Sequence, residues 1–91
     1  DPASRSSADV EREVRQLERK RDDLTMSVEG IERRLREIDA MFCEDGFFDR
    51  SSTDEISRLE AERADVEKKL EDLMEQWSAA EARLDQLSSA D

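Results

Sequence analysis

Between Val10 and Phe42 an apolar side chain recurs at alternating steps of four and three residues: Val10, Val14, Leu17, Leu24, Val28, Ile31, Leu35, Ile38 and Phe42, with Arg21 in the one remaining place. A spacing that averages three and a half residues keeps a single stripe of an α-helix turned toward a neighbouring helix, whereas a strand repeats every two. The same rhythm returns in Ile56, Leu59, Val66, Leu70, Leu73, Trp77, Ala80, Leu84 and Leu87, broken once, by Arg63. In heptad letters, positions 14, 21, 28, 35 and 42 and then 56, 63, 70, 77 and 84 are a, and the alternating members of each run are d. Each run is long enough for about 50 Å of helix at 1.5 Å per residue.

The stretch from Cys43 to Ser52 separates the two runs. Asp45-Gly46 supplies turn chemistry, and Ser52-Thr53-Asp54-Glu55 has the S-x-x-E form of a capping box, in which a serine oxygen and a glutamate satisfy the orphan amides of a new helix. The expected fold is therefore all-α, a two-helix antiparallel coiled-coil hairpin. Residues 1–8 are expected to be a disordered lead-in and 9–89 the hairpin, with helix one over about 9–42, the turn over about 43–52 and helix two over about 53–88. The heptad phase runs unbroken through the connection, so one continuous helix in an antiparallel dimer is the alternative. That alternative places Asp45, Asp49 and Ser52 on the seam, next to a glycine that costs about 1 kcal/mol in a helix.

In a hairpin, a positions of one helix pack beside d positions of the other, and g edges face each other. Charge selects a register that sets Leu17 by Trp77, Val14 by Ala80, Leu24 by Leu70 and Ile38 by Ile56. Its g edge joins Glu13 to Arg83 and Arg34 to Glu62. Sliding by one heptad opposes Lys20 to Arg83 and Arg34 to Lys69. Leu17, Ile31, Trp77 and Ala80 are expected in the core, with the Trp77 indole N–H turned out to a carboxylate such as Glu81. Arg21 and Arg63 are expected to lay their stems along the seam and reach acids such as Glu18 or Glu67. A sharper role for the two arginines is to fix register, as polar a-position residues do.

Composition narrows the function. The 91 residues are 45% charged and 35% hydrophobic, so the chain builds at most one domain and only a narrow core. The isolated hairpin is expected to be marginally stable, a monomer or a weak homodimer. There is no histidine, one cysteine and no calcium-binding loop pattern, which argues against a metal centre. Glu60, Glu62, Glu67, Glu71, Glu75 and Glu81 fall along helix faces, but general acid or base work needs a desolvated pocket that shifts a pKa, and a two-helix rod offers none. No catalytic, cofactor-binding or metal-binding residue is expected. The lone Cys43 and the lack of a long apolar run point to a cytoplasmic protein without a membrane span.

The net charge of −11 is unevenly placed: residues 10–38 hold eight basic and eight acidic side chains, and 52–91 hold five and twelve. Arg12, Arg15, Arg19, Arg33 and Arg36 lie on the outer face of helix one, with Lys20 and Arg34 on its g edge. They form the candidate nucleic-acid contact, though Asp22, Asp23 and Glu29 interrupt the stripe and no aromatic is interleaved for base stacking. Phe47 and Phe48 are unusual in a loop tip. One is expected to cap the seam beside Phe42 and the other to meet a partner.

The helix ending Ile38-Asp39-Ala40-Met41-Phe42, the turn Glu44-Asp45-Gly46-Phe47-Phe48, and Leu59-Glu60-Ala61-Glu62 followed by Met74-Glu75-Gln76-Trp77-Ser78-Ala79-Ala80-Glu81-Ala82-Arg83-Leu84 resemble the C-terminal coiled-coil hairpin of ATP-binding-cassette F ATPases of the Uup type. The resemblance covers about residues 24–88. It departs from the family in lacking a turn proline, in a longer first helix and in its acidity. It implies a non-catalytic arm of a cytosolic ATPase that contacts ribosomal RNA or DNA, with ATP and magnesium bound by cassettes elsewhere in the longer protein. The residues alone leave a protein-interaction, spacer or dimerisation role open.

Overall fold

A computed structural model describes residues 6–89. Two long helices, α1 (Ser7–Cys43) and α3 (Thr53–Ser89), pack antiparallel, and a single-turn helix, α2 (Phe47–Arg50), closes the end where they join. The fold is the all-α helical hairpin that the two apolar rhythms predict.

The helix ends follow from local chemistry. Ser6 caps α1, its hydroxyl oxygen accepting from the Asp9 amide at 3.1 Å, so the helix starts two residues earlier than expected. Ser6, Ser7 and Ala8 thus belong to the hairpin, and the rest of the expected lead-in, residues 1–5, lies outside the described residues. A polar Ser-x-x-Asp start carries no apolar periodicity, which is why the seam pattern missed it. At the other end Ser52 accepts from the Glu55 amide at 3.1 Å, the serine half of the expected capping box.

Glu44, Asp45, Gly46 and Phe47 form a turn closed by the Phe47 amide donating to the Glu44 carbonyl at 3.1 Å. Gly46 has φ 76° and ψ 5°, and Asp45 stays at negative φ; together these are the angles of a type II turn, whose third residue favours glycine. The expected irregular loop thus contains one helical turn, α2, because the chain leaving Gly46 can bond back at once. The Arg50 amide reaches the Gly46 carbonyl, and the Ser51 amide reaches that of Phe47.

Burial follows the heptads. Among the described residues every a and d position of both runs is buried or half-buried, and nearly all others are exposed apart from charged members of the two flanking edges. Among the described residues only Leu24, Ile38, Phe47 and Ala80 are buried outright. The rod measures 69 × 18 × 16 Å, and its radius of gyration of 20.3 Å compares with about 12 Å for a compact chain of this length.

Candidate functional site

Both expected g-edge pairs are present. The Arg83 Nε donates to Glu13 at 2.7 Å and its Nη2 at 3.2 Å, while Arg34 bonds Glu62 through Nε and, at 2.8 Å, through Nη2. These are bidentate forks across the helix pair, the geometry that favours arginine over lysine. The hydrogen bonds from Arg34 hold the Glu62 carboxyl below its ordinary range. Donating to Glu62, and also to Glu37, keeps the Arg34 guanidinium more firmly protonated, and Glu13 does the same for Arg83.

The opposite edge differs from expectation in its partners. The Trp77 indole N–H donates at 3.1 Å to the Thr25 hydroxyl, which itself donates to the Arg21 carbonyl; the expected acceptor, Glu81, does not receive it. Arg21 reaches Glu81 at 3.3 Å and Asp22 at 3.4 Å, not Glu18. Partial desolvation of this guanidinium works against its charge but is outweighed by the Glu81 bond and the nearby carboxylates, so its pKa is raised. Arg63 does contact Glu67, at 3.3 Å, and also Asp39 at 3.0 Å. Its contact with Glu67 is an ion pair without hydrogen-bond alignment, since the buried Nε has no hydrogen-bond partner.

The cross-helix contacts of Trp77, Arg21 and Arg63 share a direction relative to the expected register. Side chains on a helix lean toward its N-terminus. In an antiparallel pair Trp77 and Arg63 therefore lean toward the turn, and Arg21 leans away from it. Each meets a residue displaced that way from the one the register places opposite. Both a-position arginines thus bridge α1 and α3, beyond the contacts within one helix that their spacing suggested.

At the turn, three rings gather. Phe47 is 7% exposed and meets Phe42 edge-on at 5.7 Å between centroids, while Phe48 stacks on Phe42 at 5.8 Å yet remains 55% exposed. Phe47 is the ring that caps the seam beside Phe42, as expected of one of the pair, and Phe48 is the exposed one. Arg50, which the sequence reading passed over, pins the turn. Its guanidinium bonds the Asp45 carbonyl at 3.1 Å and Glu44 at 2.9 Å, and lies 5.9 Å from the centre of the Phe47 ring. Its being the lone basic residue between the two runs was the available signal.

The basic residues of α1 do not form one surface. Arg34 is committed to Glu62 and Glu37, and Arg12 to Asp9 at 3.6 Å. Arg15, Arg19, Lys20, Arg33 and Arg36 are exposed and make no ion pair among the described residues. No group of three or more Cys, Asp or Glu side chains among the described residues is placed to hold a metal ion, and no helix there is long and apolar enough to cross a membrane. Cys43 is exposed and unpaired.

Two exposed methionines escaped the sequence reading, Met26 at 71% on α1 and Met74 at 45% on α3. Both stand outside the a and d positions, and that offset was the sign to look for. No family model matches the sequence, and neither the curated proteins nor the solved structures contain a match.

Proposed function

We propose that the chain is a non-catalytic arm: a stiff hairpin that carries an aromatic tip to a protein partner. The observation that carries this reading is Phe48, held against Phe42 at the end of a 69 Å rod with more than half its surface in water. A ring fixed in place loses little freedom on binding, which is how aromatic anchors contribute disproportionately to an interface. The acidic balance of α3 favours a protein over a polyphosphate on most of the surface.

A photo-crosslinking residue at position 48, introduced into the protein in its native cell, tests the arm. Discrete protein adducts from position 48 and none from position 88, near the far end of α3, are the expected result. Equal patterns from both positions would sink the reading.

A second reading, contact with ribosomal RNA or DNA, is favoured by the unpaired Arg15, Arg19, Arg33 and Arg36 on α1. It suits the setting that the resemblance to ATP-binding-cassette F ATPases implies, a cytoplasmic enzyme whose cassettes hold ATP and magnesium while the hairpin needs neither. Anisotropy titrations with labelled duplex RNA and DNA at low salt decide it. Binding that falls steeply with added salt, and is lost in Arg33→Glu with Arg36→Glu, supports phosphate contact; none at low salt removes it.

A further inference from the structure

We propose that the side of the hairpin running from Phe48 along α3 to Ser78 is a docking groove for a cationic amphipathic helix of a partner protein. This inference rests on the protein-contact reading and names the chemistry of the partner. Two shallow depressions define the surface. One is lined by Phe42, Phe48, Glu60, Arg63, Ala64 and Glu67, the other by Glu67, Leu70, Glu71, Met74, Glu75 and Ser78. Glu67 lines both, so they form one continuous strip.

The floor of that strip is apolar and its walls are acidic. Phe48 and Met74 are two of the three large hydrophobic side chains that the hairpin leaves most exposed, and both lie here; the third, Met26, stands apart on α1. Ala64 and Ser78 are small enough to let a second backbone approach. The single cation, Arg63, is neutralised within the chain by Asp39 and Glu67. Glu60, Glu71 and Glu75 have no ion-pair partner among the described residues, so their charge is available to an incoming ligand. From Ala64 to Ser78 the strip is about 21 Å long, enough for a guest helix of about four turns.

Charge decides among occupants. A helix presenting apolar side chains at i, i+3, i+4 and i+7, flanked by lysine or arginine, matches floor and walls together. Nucleic acid would meet the glutamates, and a second copy would bring another eleven net negative charges to the same place.

The test titrates the intact chain with an amidated peptide of about 18 residues, built from leucine and lysine in that pattern, and with a scrambled peptide of identical composition. Isothermal calorimetry should show the patterned peptide binding about tenfold more tightly than the scrambled one, with Met74→Asp losing about tenfold and Met26→Asp changing less than about twofold. Amide shift mapping on the unmodified chain gives a readout that does not depend on variants folding. Changes concentrated at Ala64, Met74 and Ser78 support the groove; changes scattered over both helices overturn it. Equal binding of the two peptides, or equal loss in both methionine variants, also overturns it, as does sedimentation equilibrium showing a dimer whose formation the peptide does not reverse. Crosslinks from position 48 together with an unperturbed groove would remove this proposal and leave the arm standing.

Discussion

The two ends of the rod are built from the same heptads and are not equally closed. Near the turn, Ile38 has no exposed surface, and Phe47, buried beside Phe42, belongs to a third element that neither long helix supplies. Toward the free ends, beyond Leu24 and Ala80, no described side chain is buried; Val10, Val14 and Leu17 on α1 and Leu84 and Leu87 on α3 are half-covered, braced by the Glu13–Arg83 fork. Midway along the rod two helices suffice to bury Leu24 and Ala80, but at an end they leave a seam residue open. A ring from a connecting segment is needed to cover it from the end as well, so stability should decline from the turn outward.

Removing the closing ring gives the largest expected effect. Phe47→Ala should cost about 3–5 kcal/mol, enough to unfold a marginal hairpin at room temperature, whereas Phe48→Ala should cost about 1 kcal/mol or less because that ring is already wet. Thermal melts followed by circular dichroism compare them, and similar losses would erase the distinction between the rings. Next, Ile38→Ala should cost about 2–5 kcal/mol against about 1 kcal/mol for Val14→Ala at the open end; equal losses would mean that the seam is uniform.

Gly46→Ala should cost about 1 kcal/mol, through backbone strain at positive φ, since an added Cβ would meet nothing closer than the Arg50 guanidinium at 3.9 Å. Arg63→Leu should raise the melting temperature by relieving a buried, unbonded Nε, without changing the sedimentation mass. A larger mass would show that this arginine guards against association.

The smallest effect is one of pH. Glu62 has a lowered folded pKa, so its pairing with Arg34 contributes stability that is full above the ordinary carboxyl value and fades as acid carries the solution through the folded one. Arg34 stays charged throughout. Acid also relieves the crowding of carboxylates on α3, so the useful quantity is the difference between the parent chain and Glu62→Gln. That difference in melting temperature should be largest near neutral pH and shrink as the pH falls below the ordinary carboxylate range. A pH-independent difference would mean that the fork contributes by packing alone.

What the sequence discloses and what it hides divides along physical lines. The apolar seam, the Asp-Gly turn and both g-edge forks are legible because each depends on spacing and residue type alone. The helical turn of Phe47–Arg50 is not, since a four-residue helix has no periodicity to display. The partners of Arg21 and Trp77, and the second partner of Arg63, are not legible, because spacing gives the level of a residue on its helix and says nothing of how far a long side chain leans along the pair. The surface proposed on α3 is half legible: spacing alone sets Met74 beside Glu71 and Glu75, but only the fold brings Phe48 to the same side.

The slenderness of the hairpin has a practical consequence for anyone who weighs it. By its radius of gyration of 20.3 Å it resembles a compact protein of about 350 residues. Gel filtration calibrated with spheres will therefore credit one copy with more than its own bulk, enough to be mistaken for a pair, and only a method that registers mass independently of shape can count how many chains travel together.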